Sequence, residues 1–494
     1  MDPQNIWITF PEVLIWFPLI AGLVAFMLRS ANAVKNWALL ASLITLGVAV
    51  STLIFTGEKY FHYNNVAYFW LRYLGSSFSL GLDGMGRMLI LLTAIVFAMI
   101  FLFIRNNSYK NAPAFYGLML LAQSGLMGVF LATDALVFYF FWELALIPVY
   151  FLASRWGGDR RIQATFKFFV YTFGGSLVML LGIIYVYLHT TPTEFSDHSF
   201  SLMAFRSVLM NPVQQLWVFG LFVFAFAIKM PIFPFHTWQP DAYEQSPTPV
   251  TAVLSAVMVK MGVFGVIRWV MPMLPAAIVQ FDNVLIGLSV IGIVYASLLA
   301  MRQNDLKRLI AYSSIAHIGL MSAAMFSAKA VAMQGVMLQM FAHGINILGM
   351  WLVVDAIETK LGTRKMSELG GVAHRAPALT IFLVVLAFAN IALPLTNAFI
   401  GEFMMFNGLF QFNVWYAAVA GIGIILAAVY TLRMVQHVCY GETNALTSTM
   451  TDISFHQKLV LAILVVVVFV FGVFPQPLID LTKETVVDLL SRYK

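Results

Sequence analysis

Apolar stretches about twenty residues long recur from near residue 10 to near residue 475, with only short polar breaks between them. Twenty helical residues reach across ~30 Å of hydrocarbon. Within a bilayer each backbone polar group must be bonded inside the protein, so the stretches predict helices rather than isolated strands. With 61% hydrophobic and 10% charged residues, against about a quarter charged in a soluble domain, no large soluble domain fits. The expected fold is an all-α polytopic membrane protein with about fourteen transmembrane helices. Its N-terminus, MDPQNIWITFPEVLIWFPLIAGLVAF, lacks a positive n-region and a small-residue cleavage site, which predicts a retained first helix.

Two of the expected helices are interrupted. The seventh, residues 214–235, contains Lys229, Met230 and Pro231 in succession. The twelfth, residues 376–412, is too long for one straight pass and carries Asn390, Pro394, Thr396 and Asn397 in its middle. The interruptions fall five helices apart, an odd number, so two five-helix copies containing them run in opposite directions. That pattern predicts inverted repeats, helices 4–8 and 9–13, with the functional site at the breaks. The expected organisation is residues 1–112 as three N-terminal helices, 113–270 and 271–440 as the two repeats, and 441–494 as helix 14 and a tail.

The basic residues fall mainly at one set of helix ends, including Arg29, Lys35, Arg105, Arg160, Lys167, Arg302, Lys307, Arg308, Arg364 and Arg433. By the positive-inside rule these ends face the cytoplasm and both termini lie outside. A net charge of +6 therefore reports topology rather than a nucleic-acid partner. The expected location is a bacterial inner membrane. The tail LIDLTKETVVDLLSRYK predicts an amphipathic helix on the outer surface, with no function attached to it. One cysteine, Cys439, allows no intrachain disulfide, no cysteine-ligated iron–sulfur cluster and no CxxC pair. Glycine-rich nucleotide motifs are also missing from the sequence.

Ionisable residues inside apolar segments are costly and mark function by default. Lys229, Lys260, Glu143 and Glu402 are such residues. Glu143 and Lys229 read either as a pair that loads and unloads a proton or as a static ion pair. No second carboxylate is evident for Lys260, which suits a proton carrier. Ser313 and His317 share a helix face, and Gln339, His343 and Asn346 form one polar stripe. These histidines suit a proton path, although core hydrogen bonding or haem ligation by the pair also fits. Glu402 lies past the second break and is read as the counterpart of Lys229. Asp134 and Lys167, near helix ends, read as surface or snorkelling residues. The segment HTWQPDAYEQSPTPV, residues 236–250, with His236, Asp241 and Glu244, reads as a connection that is either a proton funnel or a rigid turn.

The run HTWQPDAYEQSPTPVTAVLSAVMVKMGVFG resembles the signature of the antiporter-like, proton-translocating membrane subunits found in complex I, multisubunit sodium/proton antiporters and membrane-bound hydrogenases. Within that family, FYFFWELALIPVYFLASRWGGDRRIQATFKFFVYTFGGSLVML and DLKRLIAYSSIAHIGLM resemble the M-type branch of NADH:quinone oxidoreductase. The resemblance runs from about residue 80 to 440. It implies that Glu143 and Lys229 are a gating pair, Lys260 a central relay, His317 and His343 a polar axis and Glu402 a terminal site. It also implies no cofactor or metal in this chain. FMN, iron–sulfur clusters and quinone are expected in partner subunits, and the partners are other membrane-arm subunits, further antiporter-like ones among them. Glutamate at 402, where related subunits carry lysine, favours the M-type branch. An antiporter subunit is the alternative. Tyr243 stands where a histidine is common, Ser246 where alanine is common, and LPLTNAFIGEF replaces a glycine-rich LPGTSGFIGEF.

Overall fold

The structure is a computed structural model that describes residues 8–192 and 196–493. Most of the N-terminal segment before the first helix, and Lys494 of the tail, lie outside the described residues. Helices α1 (Phe10–Met27) and α2 (Ala31–Ile54) precede a hairpin of β1 (Asn65–Leu71) and β2 (Ser76–Gly81). There follow α3 (Gly84–Phe103), α4 (Ala112–Leu131), α5 (Ala135–Trp156), α6 (Arg161–Tyr187), α7 (Pro212–Lys229) and the short α8 (Trp238–Gln245). Next come α9 (Thr248–Met273), α10 (Pro275–Met301), α11 (Leu306–Phe326) and α12 (Ala330–Leu361). The chain closes with α13 (Pro377–Asn390), α14 (Asn397–Phe412), α15 (Val414–Cys439), α16 (Phe455–Val473) and α17 (Gln476–Leu490). Among the described residues 13 helices are long and apolar enough to cross a membrane. The pair α13 and α14 supplies the remaining, broken pass, in keeping with the expected fourteen.

The helices sort by how much protein surrounds them. The apolar windows of α9 and α12 are 100% buried, whereas those of α2, α6 and α16 are 33%, 39% and 28% buried. The first two are therefore central and the others ring the bundle. Central position explains their composition, because a helix enclosed on all sides meets no water or lipid and can carry polar groups on any face that has a partner.

Both interruptions have identifiable causes. Helix α7 ends at Lys229, six residues short of the expected 235, because Pro231 has no N–H to continue the ladder. Residues 236–250 are not a plain connection, since α8 occupies most of that stretch. At the second break α13 stops at Asn390, and Ala392 and Leu395 adopt φ of 54° and 75°. Leu395 thus holds the left-handed conformation at the site where the resembled motif has glycine, at a cost of about 1–2 kcal/mol. Gly472 of α16 packs against this turn, and a Cβ there would lie 2.1 Å from the Leu395 carbonyl oxygen.

The hairpin was not foreseen, since each strand is short and lies in an expected outer loop. It pairs Asn65 with Gly81 and Tyr68 with Phe78. Asp134 fixes it: the carboxylate accepts from Ser76 Oγ at 3.0 Å and Ser77 N at 3.1 Å while capping α5 through Leu136 N and Val137 N. Asp134 is 1% exposed, so its surface reading is corrected. A capping carboxylate with four donors is satisfied inside the protein and need not snorkel.

Candidate functional site

Helices α9, α11, α12 and α14 bring together Lys260, His317, His343 and Glu402, all buried. Lys260 sits between two π-helical turns, Leu254–Met258 and Val266–Val270. In the first, Val259 N–H reaches back five residues to the Leu254 carbonyl at 3.1 Å. The widened turn offers the Ser255 carbonyl to the Lys260 ammonium, which donates to it at 2.8 Å. Single π turns of this kind recur at functional sites. Nothing in the sequence at 254–258 announces one.

A second bond, 2.8 Å long, joins Lys260 Nζ to His343 Nδ1. On its other side His343 Nε2 lies 3.2 Å from Ser314 Oγ, which in turn is 3.4 Å from Ser255 Oγ. The rings of His343 and His317 have centroids 5.4 Å apart. His317 Nδ1 lies 3.1 Å from Glu402 Oε1, and Gln339 Nε2 donates to the same oxygen at 3.1 Å. Close helix contact makes the last bond possible: a Cβ on Gly335 would stand 2.8 Å from the Gly401 carbonyl oxygen, so α12 and α14 touch backbone to backbone. His317 Nε2 is buried without a hydrogen-bond partner among the described residues. An imidazole takes a proton on one nitrogen and releases one from the other. Lys260 with His343 and His317 with Glu402 are thus two bonded pairs of titratable groups, set side by side with 5.4 Å between the imidazole centres.

Flanking groups hold the chain in place. Asn390, the last residue of α13, donates to Ser313 Oγ at 3.1 Å, and Tyr430 donates to the same oxygen at 2.9 Å. Asn346 donates to the Ala389 carbonyl at 3.1 Å. The predicted polar stripe of α12 therefore divides its work, Gln339 to Glu402, His343 to Lys260 and Asn346 to the break. Glu402 lies past the second break, as the sequence predicts, and Lys229 lies beside the first. Lys229 is the last residue of its half-helix, whereas Glu402 lies in the second half of the other broken pass, one turn and more beyond the gap.

Glu143 and Lys229 form a separate centre. Lys229 is 2% exposed. Its ammonium makes no hydrogen bond among the described residues and lies 5.3 Å from the Trp142 ring centre. Glu143 is half-buried beside Tyr139 and Ser176. No ion pair within 4 Å joins the two among the described residues. Separation of this kind suits a pair that opens and closes better than one that staples helices. Phe226 and Met230, on either side of Lys229 in the chain, pack against Gly262, two residues from Lys260.

At the basic helix ends a network of ion pairs surrounds α8. Asp241 pairs with Lys167 at 2.8 Å and with Arg308 at 3.2 Å. Glu244 pairs with Arg308 at 2.7 Å, Arg160 at 3.1 Å and Arg364 at 3.5 Å. Lys167 is accordingly an ion-pair partner rather than a free surface charge. Both acids of the 236–250 segment are held by cations, which supports its reading as a rigid turn. Ser255, Ser314, Tyr430 and Trp142 escaped the sequence reading, because serine and aromatic residues in apolar helices carry no signal of their own until a neighbour is known.

A buried lysine, two neighbouring histidines and a carboxylate beside a broken pass make this a polytopic membrane subunit with ionisable groups at its centre. Residues 132–427 match the family described as NADH:quinone oxidoreductase/Mrp antiporter, TM. The chain belongs to this family. It is 34% identical over 492 residues to NADH-quinone oxidoreductase subunit M of Rickettsia typhi, covering 98% of this chain and 99% of that one. It is 36% identical, again over 492 residues, to F(420)H(2) dehydrogenase subunit M of Methanosarcina mazei, covering 97% and 98%. Its fold matches a chain of respiratory complex I from Thermus thermophilus with TM-score 0.88 and 26% identity, covering 97% and 99%. A chain of the Mrp complex from Dietzia sp. matches with TM-score 0.86 at 19% identity, covering 98% and 99%, a likeness of fold alone.

Proposed function

We propose that this chain is a proton-translocating membrane-arm subunit of NADH:quinone oxidoreductase, with no redox centre of its own, driven by quinone reduction in other subunits. The observation that carries the reading is the buried polar row of Lys260 bonded to His343 and His317 bonded to Glu402, the two imidazole rings 5.4 Å apart between centres, in a largely apolar core. Charge in such a core persists where it is paired or used, and a chain of titratable groups ending in a carboxylate on a broken helix is suited to moving protons. In this reading the basic ends face the cytoplasm of a bacterial inner membrane and the termini face outward. Glu143 and Lys229 gate the path. FMN, iron–sulfur clusters and quinone belong to partner subunits, and other antiporter-like subunits are neighbours. The two halves around α7 and α13 are read as inverted repeats.

Moving one charge against 100 mV costs ~2.3 kcal/mol, comparable to a change of less than two pK units at one site. Switching a buried ion pair covers that. The test is NADH-driven proton uptake by vesicles containing the complex with Glu143→Ala or Lys229→Ala, each beside electron transfer to an artificial acceptor that bypasses the membrane arm. Loss of uptake with acceptor activity kept is expected. Normal uptake by both variants overturns the reading.

A further inference from the structure

A cavity of about 520 Å³ opens at the basic end, lined by residues of the α3–α4 connection, the start of α9 and the end of α12. At ~30 Å³ per molecule it has room for on the order of a dozen waters. Four acids surround this end in ion pairs: Asp241 and Glu244 as above, Asp305 with Arg364 at 2.5 Å, and Glu358 with Lys307 at 2.8 Å and Arg364 at 2.7 Å. Asp355, which also lines the cavity, is different. It is 7% exposed, makes no ion pair within 4 Å among the described residues and accepts one long bond, 3.4 Å, from Asn107 Nδ2. The charged groups facing it are Lys307 and Glu358, and those two are already paired with each other. The Thr248 hydroxyl stands beside it and donates to Glu358 at 3.3 Å.

Thr248 begins a buried hydroxyl stripe along α9. Thr248, Thr251 and Ser255 are spaced three and four apart, on one helix face, and are 3%, 0% and 0% exposed. Ser255 ends the stripe at the centre already described, with its carbonyl on Lys260 and its hydroxyl on Ser314. A second observation points the same way. The Tyr243 hydroxyl is fully buried and faces the Ser255 side chain. This hydroxyl therefore joins the stripe at Ser255, next to Lys260.

We infer that protons reach Lys260 from the basic end through Asp355, which takes them from the cavity and passes them along Thr248, Thr251, Tyr243 and Ser255. The inference rests on the proton-translocating reading above. Each step is a proton transfer alone: the Asp355 carboxylate gains a proton, each hydroxyl accepts one on oxygen and releases its own, and Lys260 or His343 receives it. The ion-paired acids of α8 have their negative charge held by arginine and lysine, which leaves Asp355 as the acceptor at this mouth.

The experiment measures NADH-driven proton uptake per electron in vesicles containing the whole complex, with D355N, D355E, Y243F and T248V compared with Lys260→Ala. Electron transfer to an artificial acceptor checks assembly. The expected result is at least a fivefold loss in D355N, recovery of at least half in D355E, and a smaller loss in Y243F. A merely structural aspartate would be replaced as well by asparagine as by glutamate, so the rescue is diagnostic. Wild-type uptake in D355N while Lys260→Ala is inactive overturns the inference and leaves the function standing. Wild-type uptake in both overturns the function with it. Should D355N fail to assemble, T248V decides: loss of uptake supports the route, and unchanged uptake overturns it.

Discussion

Replacing Lys229 by methionine separates a lysine that pumps from one that fastens helices. The residue is 2% exposed and its ammonium has no hydrogen bond among the described residues, and desolvating that charge costs several kcal/mol even after relaxation. Two attractions offset this. Glu143 lies beyond 4 Å, so at an effective dielectric near 20 its pull is below ~4 kcal/mol. The Trp142 ring at 5.3 Å adds ~1–2 kcal/mol. The sum is close to zero. Methionine has similar length, fills the same space and needs no solvation, so Lys229→Met is expected to range from neutral to ~2 kcal/mol more stable. The assay heats the complex in vesicles and follows protease resistance of this chain, with proton uptake measured on unheated samples. A midpoint at or above wild type together with lost uptake is the expected result. A midpoint several degrees lower would refute the reasoning and return Lys229 to a structural ion pair.

Other consequences are open to measurement. Glu402→Gln keeps the shape and the amide contact to Gln339 but removes the proton acceptor beside His317, so uptake is expected to fall tenfold or more while acceptor-linked electron transfer persists; equal uptake would place the carboxylate outside the path. Leu395→Gly releases the left-handed strain at φ 75° while giving up little burial, since Leu395 is 65% exposed. After the added unfolded-state entropy the net gain is about 0.5–1 kcal/mol, and the heating midpoint should rise slightly; a fall contradicts it. Asp83, the N-cap of α3, is bonded to Arg268 at 2.6 Å. Burial alone would raise its carboxyl, yet Arg268 and the Gly86 N–H outweigh burial and hold it below the usual carboxylate range. A depressed folded value stabilises above the unfolded value near 4 and is lost as pH falls through the folded one. Stability in detergent should therefore drop below about pH 4, and D83N should lose that part of the pH dependence.

Much of the fold was legible because the bilayer imposes one rule on every pass. Segment length and apolarity alone place α1 to α7 and α9 to α16, and Pro231, Pro394 and Asn390 mark the breaks in the sequence itself. Lys229, Lys260, Glu143 and Glu402 are visible for the same reason, as charges where charge is costly. Their partners were less legible. Lys260 has no carboxylate in sequence reach, and its bond to His343 spans 83 residues, a juxtaposition set by helix packing. The widened turn at Leu254–Met258 has no proline or glycine to announce it. Asp355 lies near a helix end among other charges, where sequence cannot tell a paired acid from a free one. Lys229 and Glu402 lie on opposite sides of their breaks, an offset that the prolines marking those breaks do not specify.

The account stands most directly on Lys260, the one charged group bonded both to the widened turn and to the histidine chain. NADH-driven proton uptake in vesicles containing the complex with Lys260→Ala, measured beside electron transfer to an acceptor that bypasses the membrane arm, tests it. The account predicts acceptor activity near wild type with proton uptake per electron reduced at least tenfold, and wild-type uptake would contradict it.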